Sequence, residues 1–146
     1  MVNLNNAYFN RFFKVSEFLR SGTATRLGID NTPSDIIMAN LSILANSLLL
    51  KPRMVIGKPF TISSGYRCPQ LNKAVGGVTN SYHLQGKACD LLFDDKNTMF
   101  AAAKLICEQP LCDLVLVENT ASKHPWLHVQ WSYTPRHKLQ EIDIVK

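Results

Sequence analysis

The sequence predicts an α+β domain in which a small, mainly antiparallel sheet packs against amino-terminal helices. Two observations carry this. In the first half, Ile37, Leu41, Leu44 and Leu48 recur at helical spacing. In the second half, four short apolar segments bounded by turn residues read as strands: Phe60 to Ser64, Ala88 to Phe93, Asp113 to Glu118 and Trp126 to Trp131. Only a hairpin-scale connection separates the last two, which favours antiparallel pairing.

Taken in order, Ser16 to Arg20 starts a short helix, and Gly22 and Gly28 interrupt the chain after it. The best-marked helix begins with Thr32 as N-cap, Pro33 at the first helical position and Asp35 in the first turn, and it stops before Pro52. Another starts near Asn97, turns Met99, Phe100, Ala103 and Ile106 inward, and ends before Pro110. Leu139 to Val145 alternates weakly, as an edge strand or a tail. No repeat or linker divides the chain, so residues 1–146 are expected to form one domain, and its 46% hydrophobic residues suffice for a core.

Composition also excludes some functions. The longest apolar candidate, Ile36 to Leu50, is interrupted by Asn40, Ser42, Asn46 and Ser47, so no membrane span is expected. Met1 to Phe13 lacks the unbroken apolar run of a secretory leader, which points to a protein cytoplasmic as synthesised. The net charge of +5 favours anionic partners. The basic residues are scattered rather than blocked, which favours a solvated surface, and no nucleic-acid partner is expected. Cys68, Cys89, Cys107 and Cys112 form no C-x-x-C pair, so a zinc ribbon and a redox motif are unsupported. A Cys107 to Cys112 bridge is open by distance along the chain, and Cys68 lies in a Gly/Pro turn.

The chemistry concentrates between Ile62 and Leu92. His83 precedes Leu84-Gln85-Gly86, and a turn at Gly86 sends the chain back into a strand where Ala88, Asp90 and Leu92 share a face. His83 and Asp90 can therefore aim at one point. In Trp126 to Trp131, alternation puts Trp126, His128 and Gln130 on one side. Two imidazoles and a carboxylate with a fourth position open form the pattern of a catalytic zinc. Four His and eleven acidic residues would allow such a trio in many chains, so spacing alone leaves the choice open.

Ser64-Gly65-Tyr66-Arg67-Cys68-Pro69, Leu71-Asn72-Lys73-Ala74-Val75-Gly76-Gly77 and Ser81-Tyr82-His83-Leu84-Gln85-Gly86-Lys87-Ala88-Cys89-Asp90-Leu91 narrow it. These blocks resemble the consecutive signature S-G-Y-R, L-N-x-x-V-G-G and S-x-H-x-x-G-x-A-x-D of the zinc D-alanyl-D-alanine carboxypeptidase and L,D-peptidase family. That family has the Hedgehog/DD-peptidase fold and includes phage endolysins and dipeptidases. With the segments Ser21 to Arg26 and Gly28 to Pro33, the similarity covers roughly Phe13 to Trp131. It implies one zinc held by His83, Asp90 and His128, with Arg67 holding a substrate carboxylate or the oxyanion as it forms.

Ser81 is placed to bond substrate, orient His83 or cap the turn, and Tyr82 and Trp126, which flank ligands, either line the groove or belong to the core. Better-known relatives carry an acid three residues before the last His, where this chain has Pro125. Cys112 to Glu118 instead resembles the F-D-Q-L-I-x-E strand of another branch, making Glu118 the candidate general base or else a strand-end carboxylate. Asp113, five residues earlier, is expected on the opposite face. His124 reads as a loop residue near the site mouth and His137 as a surface residue. The resemblance implies a zinc peptidase acting on peptidoglycan stem peptides in the cell wall, and a monomer is expected; the alternative is an inactive relative that binds zinc or wall peptide.

Overall fold

The computed structural model describes residues 6–142. A 3-10 turn at Val15–Phe18 leads into α1 (Gly22–Leu27), with Ser21 capping its start and Gly28 closing it at a positive φ of 67°. Gly22 therefore opens a helix rather than breaking one, because the Ser21 hydroxyl accepts the Ala24 N–H and compensates for a poor helix former.

The principal helix starts later than its residues advertise. Thr32 is tied back to Asp30 through its N–H and hydroxyl, so Ser34 caps α2 (Asp35–Ile43) by accepting from the Ile37 N–H. Nor does the helix stop at Pro52. It widens into a π segment, Leu44–Leu49, and continues as α3 (Leu50–Ile56) with Pro52 inside it. A proline ring strikes the carbonyl four residues back, and a widened turn under that position makes the room. Leu41, Leu44, Ala45, Leu48 and Leu49 are fully buried along this rod.

Among the described residues, five strands form the sheet: β1 (Thr61–Ser64), β2 (Ala88–Leu92), β3 (Cys112–Glu118), β4 (Trp126–Trp131) and β5 (Lys138–Ile142), in the spatial order β1-β2-β4-β3-β5. All neighbours pair antiparallel except β3 and β5, which are parallel. Of the two readings of Leu139 to Val145, edge strand or tail, the first holds as far as Ile142, and residues 143–145 lie outside the described region. Two further helices lie among the described residues. α4 (Pro69–Ala74) occupies what reads as a Gly/Pro turn, with the half-buried Cys68 as its cap. α5 (Lys96–Cys107) starts at the Asp95 cap and packs on β3. All four cysteines are free thiols, so the open question of a Cys107 to Cys112 bridge is answered against it.

Period-2 alternation divides the sheet into two faces. Cys89 and Leu91 of β2, Val115 and Val117 of β3, and Leu127, Val129 and Trp131 of β4 are buried in the core with α5 and the long helix. The other face carries Asp90, His128, Gln130 and Glu118.

A candidate metal centre on the open sheet face

Backbone register sets the site. Asp90 of β2 sits directly opposite His128 of β4, and directly opposed residues on one sheet face are in side-chain contact range. His83 arrives from outside the sheet, in a 3-10 turn (Tyr82–Gln85) that Gly86 ends at a φ of 69°. His83, Asp90 and His128 each offer one nitrogen or oxygen, and these three atoms all lie within 4.8 Å of one another. Asp90 Oδ1 is 3.4 Å from His83 Nε2 and 3.2 Å from His128 Nδ1. The three side chains singled out from the sequence are therefore brought together, and the two ring nitrogens converge on one carboxylate oxygen.

What surrounds each ring decides which nitrogen is free. His83 Nδ1 is 2.8 Å from the Gly65 carbonyl, an acceptor only, so Nδ1 carries a proton and Nε2 is the nitrogen turned to the site. Gly65 is where this contact is built. A β-carbon there would run into the Phe18 backbone, whose carbonyl also accepts the Tyr66 N–H. We expect Gly65→Ala to cost about 1–3 kcal/mol of stability by overpacking and to weaken metal binding by displacing the Gly65 carbonyl, checked by thermal melts and zinc titration.

Electrostatics fit a cation. Burial works against the charged Asp90 carboxylate, yet its hydrogen bonds to His128 and His83 outweigh that and hold it far below the usual carboxylate range. Burial likewise disfavours charged His128, but the Asp90 carboxylate more than compensates, so its proton is held above the ordinary histidine value. An anion between two imidazoles is a ready site for a divalent ion, which would take the protons' place. This donor set of two nitrogens and one oxygen suits zinc and leaves a coordination position for water or substrate.

Arg67 stands at the edge of this site. Its Nη2 is 3.6 Å from Asp90 Oδ2, Nε donates to Ser64 Oγ and Nη1 to Asn72 Oδ1, and its backbone N–H bonds the His83 carbonyl. The guanidinium is thus positioned before any ligand arrives. Arg67 also lines a cleft of about 370 Å³ with Arg20, Arg26 and Tyr66. Ser81 caps the turn, its hydroxyl accepting the His83 N–H at 3.2 Å. Tyr82 and Trp126, near His83 and His128 along the chain, are half-buried. Glu118 lies on the same face as His128, opposite Trp126. Burial first, and the Asp90 charge second, raise its pKa above the ordinary 4.5.

His124 is an exposed loop residue and His137 an exposed one at a positive φ of 51°, and neither joins the cluster. One expectation fails. Asp113 does not face away from the site, because β3 carries a bulge between Cys112 and Leu114 that inserts one residue and turns Asp113 to the other side. There it accepts a hydrogen bond from Gln130 Nε2 at 2.8 Å, and Gln130 Oε1 is 2.7 Å from His128 Nε2. Sequence reasoning placed Gln130 on the His128 face without giving it a role, and missed what Asp113 and Arg136 do; only the bulge could have revealed it.

A sequence profile described as Peptidase M15 matches residues 11–130, a span that contains His83, Asp90, His128 and Glu118. No protein with a curated description matches the chain.

Proposed function

Because the chain belongs to the peptidase M15 family, whose members are zinc D-Ala-D-Ala carboxypeptidase-like metallopeptidases, we propose that it hydrolyses amide bonds in peptidoglycan stem peptides. The observation that carries this reading is the convergence of His83 Nε2, Asp90 Oδ1 and His128 Nδ1 beside a fixed guanidinium. His83, Asp90 and His128 would hold the ion. A zinc bound there supplies Lewis acidity and lets water lose a proton near neutral pH.

The chain's own residues do the rest. Arg67, already oriented by Ser64 and Asn72, binds the substrate carboxylate or the carbonyl oxygen as charge develops on it. Glu118 accepts the proton of the attacking water as its oxygen bonds the scissile carbon. The same proton then goes to the leaving nitrogen as the C–N bond breaks. Tyr82 and Trp126 offer half-buried aromatic surface to the peptide, and Ser81 holds the turn that presents His83. Net charge of +5 suits an anionic wall polymer. The protein acts as a monomer at the cell wall in this reading. Among the described residues, no helix is long and apolar enough to cross a membrane.

The raised pKa of Glu118 gives a pH dependence. A base works only when deprotonated, so activity rises as pH passes upward through the Glu118 pKa, which burial and the Asp90 charge raise above the ordinary 4.5 in the metal-free protein. A pH–rate profile on a stem-peptide substrate checks this: the acid limb should vanish in Glu118→Gln, and a limb that stays where the parent has it removes Glu118 from the role. Mass spectrometry of digested peptidoglycan tests the substrate. Release of D-alanine identifies a carboxypeptidase and internal fragments an endopeptidase, while intact peptides after zinc loading would leave a binding protein, the reading that Pro125 favours.

A further inference from the structure

We propose that Gln130, Asp113 and Arg136 are positioning residues that lock the His128 ring with its Nε2–H on Gln130 and its Nδ1 lone pair turned to the metal. This rests on the metal-site reading under Proposed function and adds the means by which one ligand is held.

The network runs inward from the protein surface. Asp113 is 2% exposed, and its carboxylate receives four donors. Arg136 Nε and the Arg136 backbone N–H donate to Oδ1 at 2.9 and 3.1 Å; Arg136 Nη2 and Gln130 Nε2 donate to Oδ2 at 2.9 and 2.8 Å. A carboxylate with four donors is acceptor-only and fully used. Arg136 keeps it ionised, holding its pKa below the usual value.

Each bond then dictates the next. Asp113 can only accept, so the Gln130 amide must turn its nitrogen toward Asp113 and its oxygen toward His128. That oxygen lies 2.7 Å from His128 Nε2 and can only accept, so Nε2 must carry a proton. A neutral imidazole protonated at Nε2 has its lone pair on Nδ1, the atom that faces Asp90 at 3.2 Å. Gln130 is 7% exposed, so water cannot easily replace a lost partner.

The same network gives the carboxy-terminal segment a task. Ser132 N–H bonds the Leu111 carbonyl and His137 N–H bonds the Cys112 carbonyl, pinning the stretch that carries Arg136 to the start of β3. Arg136 is 55% exposed as a side chain, so water can partly stand in for it, and its loss should matter less than that of Asp113 or Gln130.

The test combines zinc titration against a competing chelator with 15N NMR of the histidine rings in the zinc-loaded full chain. In the parent, His128 should be metallated through Nδ1 and show a slowly exchanging Nε2–H. Gln130→Leu removes the acceptor, and Asp113→Asn offers Gln130 a donor that lets its amide turn over. Both should weaken zinc binding about ten- to a hundredfold and speed exchange of that proton. Arg136→Ala should do so more mildly, and Arg136→Lys should recover part of the loss. Metallation of His128 through Nε2 in the parent overturns the proposal without any variant. So do Gln130→Leu and Asp113→Asn proteins that bind zinc within about twofold of the parent. A parent that takes up no zinc overturns instead the metal-site reading on which this one stands, and the proposal with it.

Discussion

Replacing Asp90 by Ala should abolish stoichiometric zinc uptake and lower peptide hydrolysis by about a thousandfold or more. Asp90 is the only anionic member of the cluster, and both rings converge on its Oδ1. Without it, two neutral imidazoles remain beside Arg67, whose positive charge then opposes an incoming cation. The substitution is not expected to unfold the protein. Asp90 lies on the open face of β2, while its neighbours Cys89 and Leu91 are the fully buried anchors of that strand. Chelator-competition titration and a hydrolysis assay, with a thermal melt of the metal-free protein as control, check it. Retention of one tightly held zinc in a folded Asp90→Ala protein would mean that the ligand set is misassigned.

The second large effect separates catalysis from metal binding. Glu118→Gln keeps the shape of the side chain and removes its capacity to take a proton, so kcat should fall about 10²–10⁴-fold. Zinc affinity should stay near the parent value, because Glu118 is not one of the three converging groups. Its position supports the role: it shares the sheet face of His128, and its pKa is lifted by burial and by the charge of Asp90. Loss of zinc together with activity would reassign Glu118 to holding the metal, and unchanged kcat would leave the base to be found elsewhere. Steady-state kinetics beside metal analysis on the same preparations distinguishes the three outcomes.

Much of this was legible in the residues because the signals were local. The alternation of Trp126 to Trp131 placed His128 on the face opposite Leu127 and Val129, and the burial of β4 agrees with it. Gly86 marked the turn between His83 and Asp90, and it adopts the left-handed φ that such a turn requires. The features that escaped depended on neighbours or on backbone irregularities that composition does not reveal. Pro52 reads as a stop signal, yet the widened turn before it lets the helix continue to Ile56 with Pro52 buried inside it. Thr32 is as good a cap by composition as Ser34, and its bond to Asp30 takes it out of contention. A parity count along β3 assigns Asp113 to the wrong face, since one bulge reverses every side chain beyond it. That same bulge joins Asp113 to Gln130.

Catalysis of this kind depends on one ion seated among three side chains. The most direct measurement is anomalous scattering at the zinc edge from a crystal of the zinc-loaded protein. A single strong peak bounded by His83 Nε2, Asp90 Oδ1 and His128 Nδ1, at about 2.0–2.2 Å from each, is the result expected. A crystal whose zinc sits elsewhere, with those three side chains still paired to one another, would contradict it.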